Sequence, residues 1–261
     1  METKYIDIGL NLFSKQFAGQ EDAIVTRAAE QGVGMIITGS SERSSAQAAN
    51  YVKKHPGIYA TAGVHPHDAK SVDQLTIDHL RKLMQSSEQM VAVGECGLDY
   101  DRMYSPKDVQ LRVFEQQIEL AEELKKPLFL HEREAAADFT EILKRHKEIC
   151  ARAVVHCYTG TRATAEQYLD LGCMIGITGW VCDDRRNGEL LEALKVIPVE
   201  RLMAETDGPY LLPRGIKGLK NPNVPENIVY VVKKIAEVKG VEEEILRAQI
   251  IENTKIFFKL S

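Results

Sequence analysis

Five short apolar runs in this chain are each followed by a side chain that can bind a metal ion or carry a proton. The stretch "TAGVHPHD" delivers His65 and His67, "MVAVGECGLDY" delivers Glu95, and "PLFLHER" delivers His131. "AVVHCYTG" delivers His156, and "LMAETDGPY" delivers Asp207. A bare carboxylate behind a buried run is costly, so Glu95 needs a partner. A cation shared by Glu95, His131, His156 and Asp207 would supply one. Mixed imidazole and carboxylate donors suit zinc, manganese or iron and hold magnesium less typically. One such residue alone is more often a hydrogen-bonded structural group; five run ends of this kind argue for a site. His55, His79 and His146 stand in helical or charged surroundings and read as surface residues.

These residues need elements that carry them to one place. Apolar runs fall at 6–10, 34–38, 58–64, 90–94, 128–130, 153–155, 174–177 and 202–204. Longer stretches with helical spacing lie between them. In "PKDVQLRVFEQQIELAEELKK", Pro106 suits a first turn, and Leu111, Phe114, Ile118, Ala121 and Leu124 share one face. Strands too apolar for half exposure, alternating with helices, predict a parallel sheet covered by helices. Eight such units in 261 residues predict an α/β fold of the closed (β/α)8 type as a single domain, 1–261, with an open doubly wound sheet as runner-up. Residues 225–260 read as extra C-terminal helices. Gly32 and Gly34 read as a helix stop and a tight turn, and Cys96 and Cys157 as packing residues facing away from the ligands beside them.

Composition narrows the class. The net charge of −5 argues against a protein that coats duplexes. No apolar run approaches the ~18 residues of a membrane span, and the first residues lack the pattern of a signal peptide. Five cysteines without a C-x-x-C pair predict a reducing, cytoplasmic setting. There is no G-x-S-x-G elbow, Walker loop or H-E-x-x-H motif.

The motifs "GVHPHD", "GECGLDY", "LHER", "VVHCYTGT", "IGITGWVC" and "ETDGPYLLPR" follow one another along nearly the whole chain. In content and order they resemble the TatD family of metal-dependent nucleases, among the amidohydrolase-like barrels, and "DIGLNL" is most similar to the family's TatD-proper branch. The resemblance implies a (β/α)8 metal-dependent hydrolase that releases nucleotides from the 3′ end of single-stranded DNA or RNA, in repair or turnover. It places metal ligands on Glu95, His131 and His156, with Asp207 as a further ligand or acid–base, and His65 near the scissile phosphate. It implies one or two divalent ions, magnesium in use, with manganese or zinc as alternatives. It also implies a monomer that meets single-strand ends and no membrane. Most relatives carry H-x-H on the first strand, where this chain, like the TatD-proper branch it resembles, has Gly9 and Asn11; glycine offers no ligand and Asn11 only a neutral oxygen.

With these roles, Glu95, Asp207 and His65 would be the catalytic groups. Asp207 would accept a proton from water, His65 would serve the leaving oxygen, and Arg133 would clamp a phosphate oxygen. His67, Arg133 and Tyr158 are further substrate-contact candidates. Tyr100, Trp180 and Tyr210 could stack bases or simply pack loops, and Arg185 and Arg186 could meet phosphates or pair with Asp183 and Asp184. Two other readings remain at this stage. One is a hydrolase of a small amide, lactone or phosphoester, and the other is a non-catalytic metal-binding protein.

Overall fold

The computed structural model describes residues 3–260. Eight strands run through it: β1 (Tyr5–Leu10), β2 (Val33–Ile37), β3 (Tyr59–Ala62), β4 (Met90–Asp99), β5 (Leu128–Arg133), β6 (Ala153–Val155), β7 (Met174–Ile177) and β8 (Leu202–Ala204). They form one sheet in the order β1 to β8. The pairs β1–β2, β3–β4, β4–β5, β5–β6 and β7–β8 are parallel. A bridge from Leu10 to Gly208, just past β8, joins the first strand to the last. Sequential order with first and last strands joined is the (β/α)8 arrangement and not the open doubly wound alternative.

Among the described residues, ten α-helices lie between and after the strands: α1 (Glu21–Glu30), α2 (Glu42–Val52), α3 (Gln74–Gln85), α4 (Lys107–Leu124), α5 (Ala136–Arg145), α6 (Lys147–Cys150), α7 (Arg162–Asp170), α8 (Gly188–Val196), α9 (Ile228–Lys239) and α10 (Glu243–Phe258). Their ends follow local chemistry. Ser41 caps α2 and Asp73 caps α3, each accepting from the backbone N–H three residues on. Gly240 ends α9 in the left-handed conformation that glycine adopts without strain. Among the described residues, no helix is long and apolar enough to cross a membrane.

The chain divides into two compact units. One comprises Thr38–His156 and Asp170–Met174 and carries β3 to β6. Its core holds Phe114, Ile118, Phe129, Leu130 and Phe139, all fully buried. The buried face of α4 carries Phe114, Ile118 and Ala121, as apolar spacing picks out, but is turned from the leucines at its edges toward two glutamines. Leu111 and Leu124 are only partly buried, whereas Gln110 and Gln117 are at 1% and 0% exposure. These glutamines hold strand ends. Gln110 accepts from Asp99 N at 2.8 Å and donates to Asp99 O at 3.0 Å. Gln117 does the same for Val64, at 2.8 and 3.0 Å. The helix is turned so that two amides, seven residues apart, satisfy backbone groups next to site residues. Pro106 stands one place ahead of α4 as its N-cap.

The other unit comprises Met1–Ile37, Cys157–Leu169 and Ile175–Ser261. It contains β1, β2, β8 and the two C-terminal helices. α9 buries Ile228, Val231, Val232 and Ile235, and Asn253 on α10 donates to Val199 O and Leu202 O at 2.8 Å each. Gly32 does end α1 with a positive φ of 79°, but Gly34 lies inside β2 and makes no turn.

Candidate metal centre

Four imidazoles and two carboxylates meet where β3, β4, β5 and β6 end. Strand β4 does not stop at Glu95 but continues to Asp99, and β5 runs through His131 to Arg133. Glycine makes this continuation feasible. A side chain at Gly97, where φ is 145°, would come within 1.9 Å of His131 O; at Gly94, with φ of 132°, it would meet Phe129 O at 2.1 Å. A bulge between Val93 and Cys96 interrupts the register where Glu95 stands.

Glu95, 6% exposed, gathers three rings at Oε1. His156 Nε2 lies at 2.9 Å, His131 Nδ1 at 3.2 Å and His65 Nε2 at 3.4 Å. Burial would raise its pKa, but His65, His156 and His131 hold the carboxyl well below the usual range. Asp99 forms a second centre. Its Oδ2 faces His67 Nε2 at 2.8 Å and His131 Nε2 at 3.2 Å, and Arg102 N donates to Oδ1 at 2.8 Å. Burial pulls the His131 pKa down, but Asp99 and Glu95 together leave it raised.

The proton positions separate His131 from His65. In a neutral His131 that donates Nε2–H to Asp99, Nδ1 is bare toward Glu95 and able to bind a metal. His65 is the reverse. Its Nδ1 accepts from His67 N at 3.1 Å, so a neutral ring carries its proton on Nε2, the atom that faces Glu95. Burial, more than the neighbouring His131, pushes the His65 pKa down to about 3, so the ring is neutral. His65 Nε2 is therefore a donor, although one ligand atom each of His65, Glu95 and His131 lies within 4.8 Å of the others.

The donor set fits a small divalent ion. Tetrahedral ligands at about 2.1 Å from an ion stand about 3.4 Å apart. The 2.9 and 3.2 Å separations of His156 and His131 from Glu95 Oε1 are each close to that span, while the three ligand atoms that all lie within 4.8 Å of one another are those of His65, Glu95 and His131. Anionic oxygen with two imidazoles is ordinary chemistry for zinc or manganese.

Asp207 belongs to the other unit, just past β8, with a positive φ of 54°. Asn11 Nδ2 donates to its Oδ1 at 2.8 Å, and Asn11 N donates to Gly208 O at 2.8 Å. Asp7, fully buried on β1, accepts from Thr206 N at 2.9 Å and from the Thr206 hydroxyl. Burial pushes the Asp7 carboxyl up to about 7 despite these bonds. β1 thus holds the turn bearing Asp207 through both Asp7 and Asn11.

The remaining candidates are placed as follows. His67 is tied to Asp99 and partly exposed, with its ring centroid 4.8 Å from that of Tyr104 in an edge-to-face contact. Arg133 ends β5, pairing in register with Asp99. Tyr158 is 2% exposed and its hydroxyl donates to Thr161 O, so it packs beneath its loop. Cys96 is fully buried. Cys157 has left the strand, with a φ of 48°, and its N–H donates to Glu205 Oε1 at 2.5 Å. Arg185 and Arg186 both bind Asp183. His55, His79 and His146 bind Tyr51 O, Glu42 and Glu122, away from the cluster. Asp99 and the Asp7–Thr206 contact were not singled out from sequence, although Asp99 stands in "GECGLDY", four residues beyond Glu95.

Known proteins share this pattern over the full length. The family model for TatD related DNase matches residues 6–259. A protein of Pantoea sp. (strain At-9b) named 3'-5' ssDNA/RNA exonuclease TatD is 45% identical over 259 residues, covering 98% of this chain and 99% of that one. Its namesake from Klebsiella pneumoniae (strain 342) is 44% identical over 255 residues, 97% of each chain. Among solved structures, YjjV, a TatD homologue from Escherichia coli K12, superposes with a TM-score of 0.89 at 26% identity, with 100% of both chains covered. This chain belongs to the TatD-related DNase family.

Proposed function

We propose that the chain, as one catalytic domain over 1–261, is a metal-dependent 3′–5′ exonuclease of single-stranded DNA or RNA. The observation that carries this reading is the buried cluster of Glu95 with His131 and His156, in a chain 45% identical to a protein named for that activity. Glu95 Oε1, His131 Nδ1 and His156 Nε2 would hold the ion, with Asp207 as a further ligand or proton acceptor. A divalent ion bound there, magnesium in use with manganese or zinc as alternatives, would lower the pKa of a bound water and neutralise charge on phosphate oxygens.

The protein's own groups do the rest. Asp207 carries a carboxylate oxygen aligned by Asn11 Nδ2, as a base must be. His65 offers Nε2–H, which can donate to a phosphoryl or leaving oxygen. Asp99 fixes the His131 tautomer. Arg133 and His67 would contact the phosphate, and Tyr158 would shape the loop beside His156. A protein with five free cysteines suits a reducing cytoplasm.

The test is metal-supplemented digestion of single strands labelled at the 3′ or the 5′ end. Release should begin from the 3′ label, and Glu95→Ala should lower the rate at least a hundredfold while the protein stays folded by circular dichroism. A Glu95→Ala protein with near wild-type turnover would refute the assignment.

A further inference from the structure

Three arginines of the Asp207 unit converge on one carboxylate. Asp183, 2% exposed, takes Arg185 Nη2 at 2.7 Å and Arg186 Nε at 2.9 Å, with Arg214 Nε at 3.5 Å. Arg185 holds both carboxylate oxygens, so Arg186 and Arg214 share what remains of a single charge. Arg186 lies 3.5 Å over the Trp180 ring, which fixes its plane. Arg214 belongs to "LLPRGIKGLKNP", 211–222, with three basic residues and no acidic one, in a chain whose net charge is −5. Local positive charge against an acidic whole requires a reason.

Asp183, Arg186 and Arg214 line a cleft of about 380 Å³ between the turn after β7 and the loop after β8, with Trp180 and Asn221 also in its walls. An adjoining cleft of about 440 Å³ shares Arg214, Gly215 and Ile216 and adds Lys217, Lys233 and Lys234 against Asp184 and Glu237, with Lys234 paired to Glu237 at 3.0 Å. The two loops touch backbone to backbone, since a side chain at Gly179 would meet Leu211 O at 2.1 Å. The loop that supplies Arg214 begins at Asp207, and Tyr210, 48% exposed, donates its N–H to Asp207 O at 2.9 Å.

We propose that these two clefts form a phosphate track that grips the body of a single strand, upstream of the nucleotide being removed. The inference rests on the exonuclease reading and specifies how that enzyme would hold its substrate. Arg186 and Arg214 present planar forks to successive phosphates. Tyr210 offers a stacking surface where the strand leaves Asp207. Asp183 keeps the arginines pre-placed, so ordering them costs little when the strand arrives. A short track of this kind explains how an acidic protein can hold single strands without binding duplexes broadly.

The test compares wild type, Arg214→Ala and Arg214→Lys on a 12-nucleotide single strand and on a dinucleotide, across a salt series. Arg214→Ala should lower kcat/KM about tenfold on the 12-mer, mainly through KM, and no more than twofold on the dinucleotide. The slope of log KM against log salt should flatten by about 0.7 for one lost phosphate contact. Arg214→Lys should restore the salt slope but recover only part of the loss, because an ammonium keeps the charge and lacks the planar fork. An equal loss on both substrates, or none on the 12-mer, overturns the track. Binding of a fluorescein-labelled 12-mer under chelation separates the two readings. Arg214-dependent binding by a protein that cleaves neither substrate would sustain the track and sink the exonuclease, and wild type that fails to bind would overturn the track.

Discussion

Asp99 is predicted to control metal affinity without binding the metal, and Asp99→Asn should be worse than Asp99→Ala. Asp99, 3% exposed, accepts from His131 Nε2 at 3.2 Å and His67 Nε2 at 2.8 Å through the same oxygen, Oδ2. Asparagine keeps the shape. Arg102 N needs an acceptor at Oδ1, so the new NH2 takes the Oδ2 place. A donor then faces two imidazole N–H groups. His131 resolves the conflict by moving its proton to Nδ1, the atom 3.2 Å from Glu95 that must be bare to bind an ion. Alanine forces no tautomer, because water can accept from Nε2. Loss of a carboxylate behind a metal-binding histidine typically costs 10–100-fold in affinity, which is about 1.4–2.7 kcal/mol. Asp99→Asn should fall at the upper end and Asp99→Ala at the lower. Calorimetric titration with Mn2+ reads the affinity directly, and thermal unfolding without metal checks the fold. Unchanged affinity in Asp99→Asn, or a larger loss in Asp99→Ala, would refute the tautomer argument.

Three further outcomes follow from the same geometry. His65→Gln should cut kcat about tenfold or more while Mn2+ affinity stays within about twofold, because Nε2 of His65 is a donor; a parallel loss of affinity would make it a ligand. Asn11→Ala should lower kcat by about tenfold with little change in thermal stability, since the bond it removes orients the Asp207 carboxylate; full activity would show that Asp207 needs no such support. Asp7→Asn tests a stability effect with a defined sign. The folded state holds the Asp7 proton up to about 7 against an ordinary 3.8. That contribution is complete below about pH 4 and is lost as pH rises through about 7. About two of those pKa units remain to be lost above pH 5, or about 3 kcal/mol. Between pH 5 and 8, wild type should therefore lose stability that Asp7→Asn keeps, as read from urea unfolding; matching slopes would contradict the buried-acid account.

Much of this architecture was legible in the residues, and the parts that were not share a cause. β6, β7 and β8 begin and end where the apolar runs do, because nothing polar interrupts them. Glu95 and His131 were expected just past their strands, since Gly94, Gly97 and a charge resemble a stop. In the fold the same glycines permit the close approach that keeps β4 against β5. Apolar spacing missed Gln110 and Gln117 because a buried amide that satisfies a strand end has no hydrophobic signature. The Asn11–Asp207 bond joins positions 196 apart, and no local spacing encodes it. For Gln117 and for the Asn11–Asp207 pair, the polar group is satisfied by a partner distant in sequence. Periodicity reports which faces avoid water but not which donor meets which acceptor. A polar residue standing inside an apolar period is therefore the place where sequence reading should ask for a partner. Applied to Asp7, Asp99, Gln110 and Gln117, that question points to the groups that brace the site.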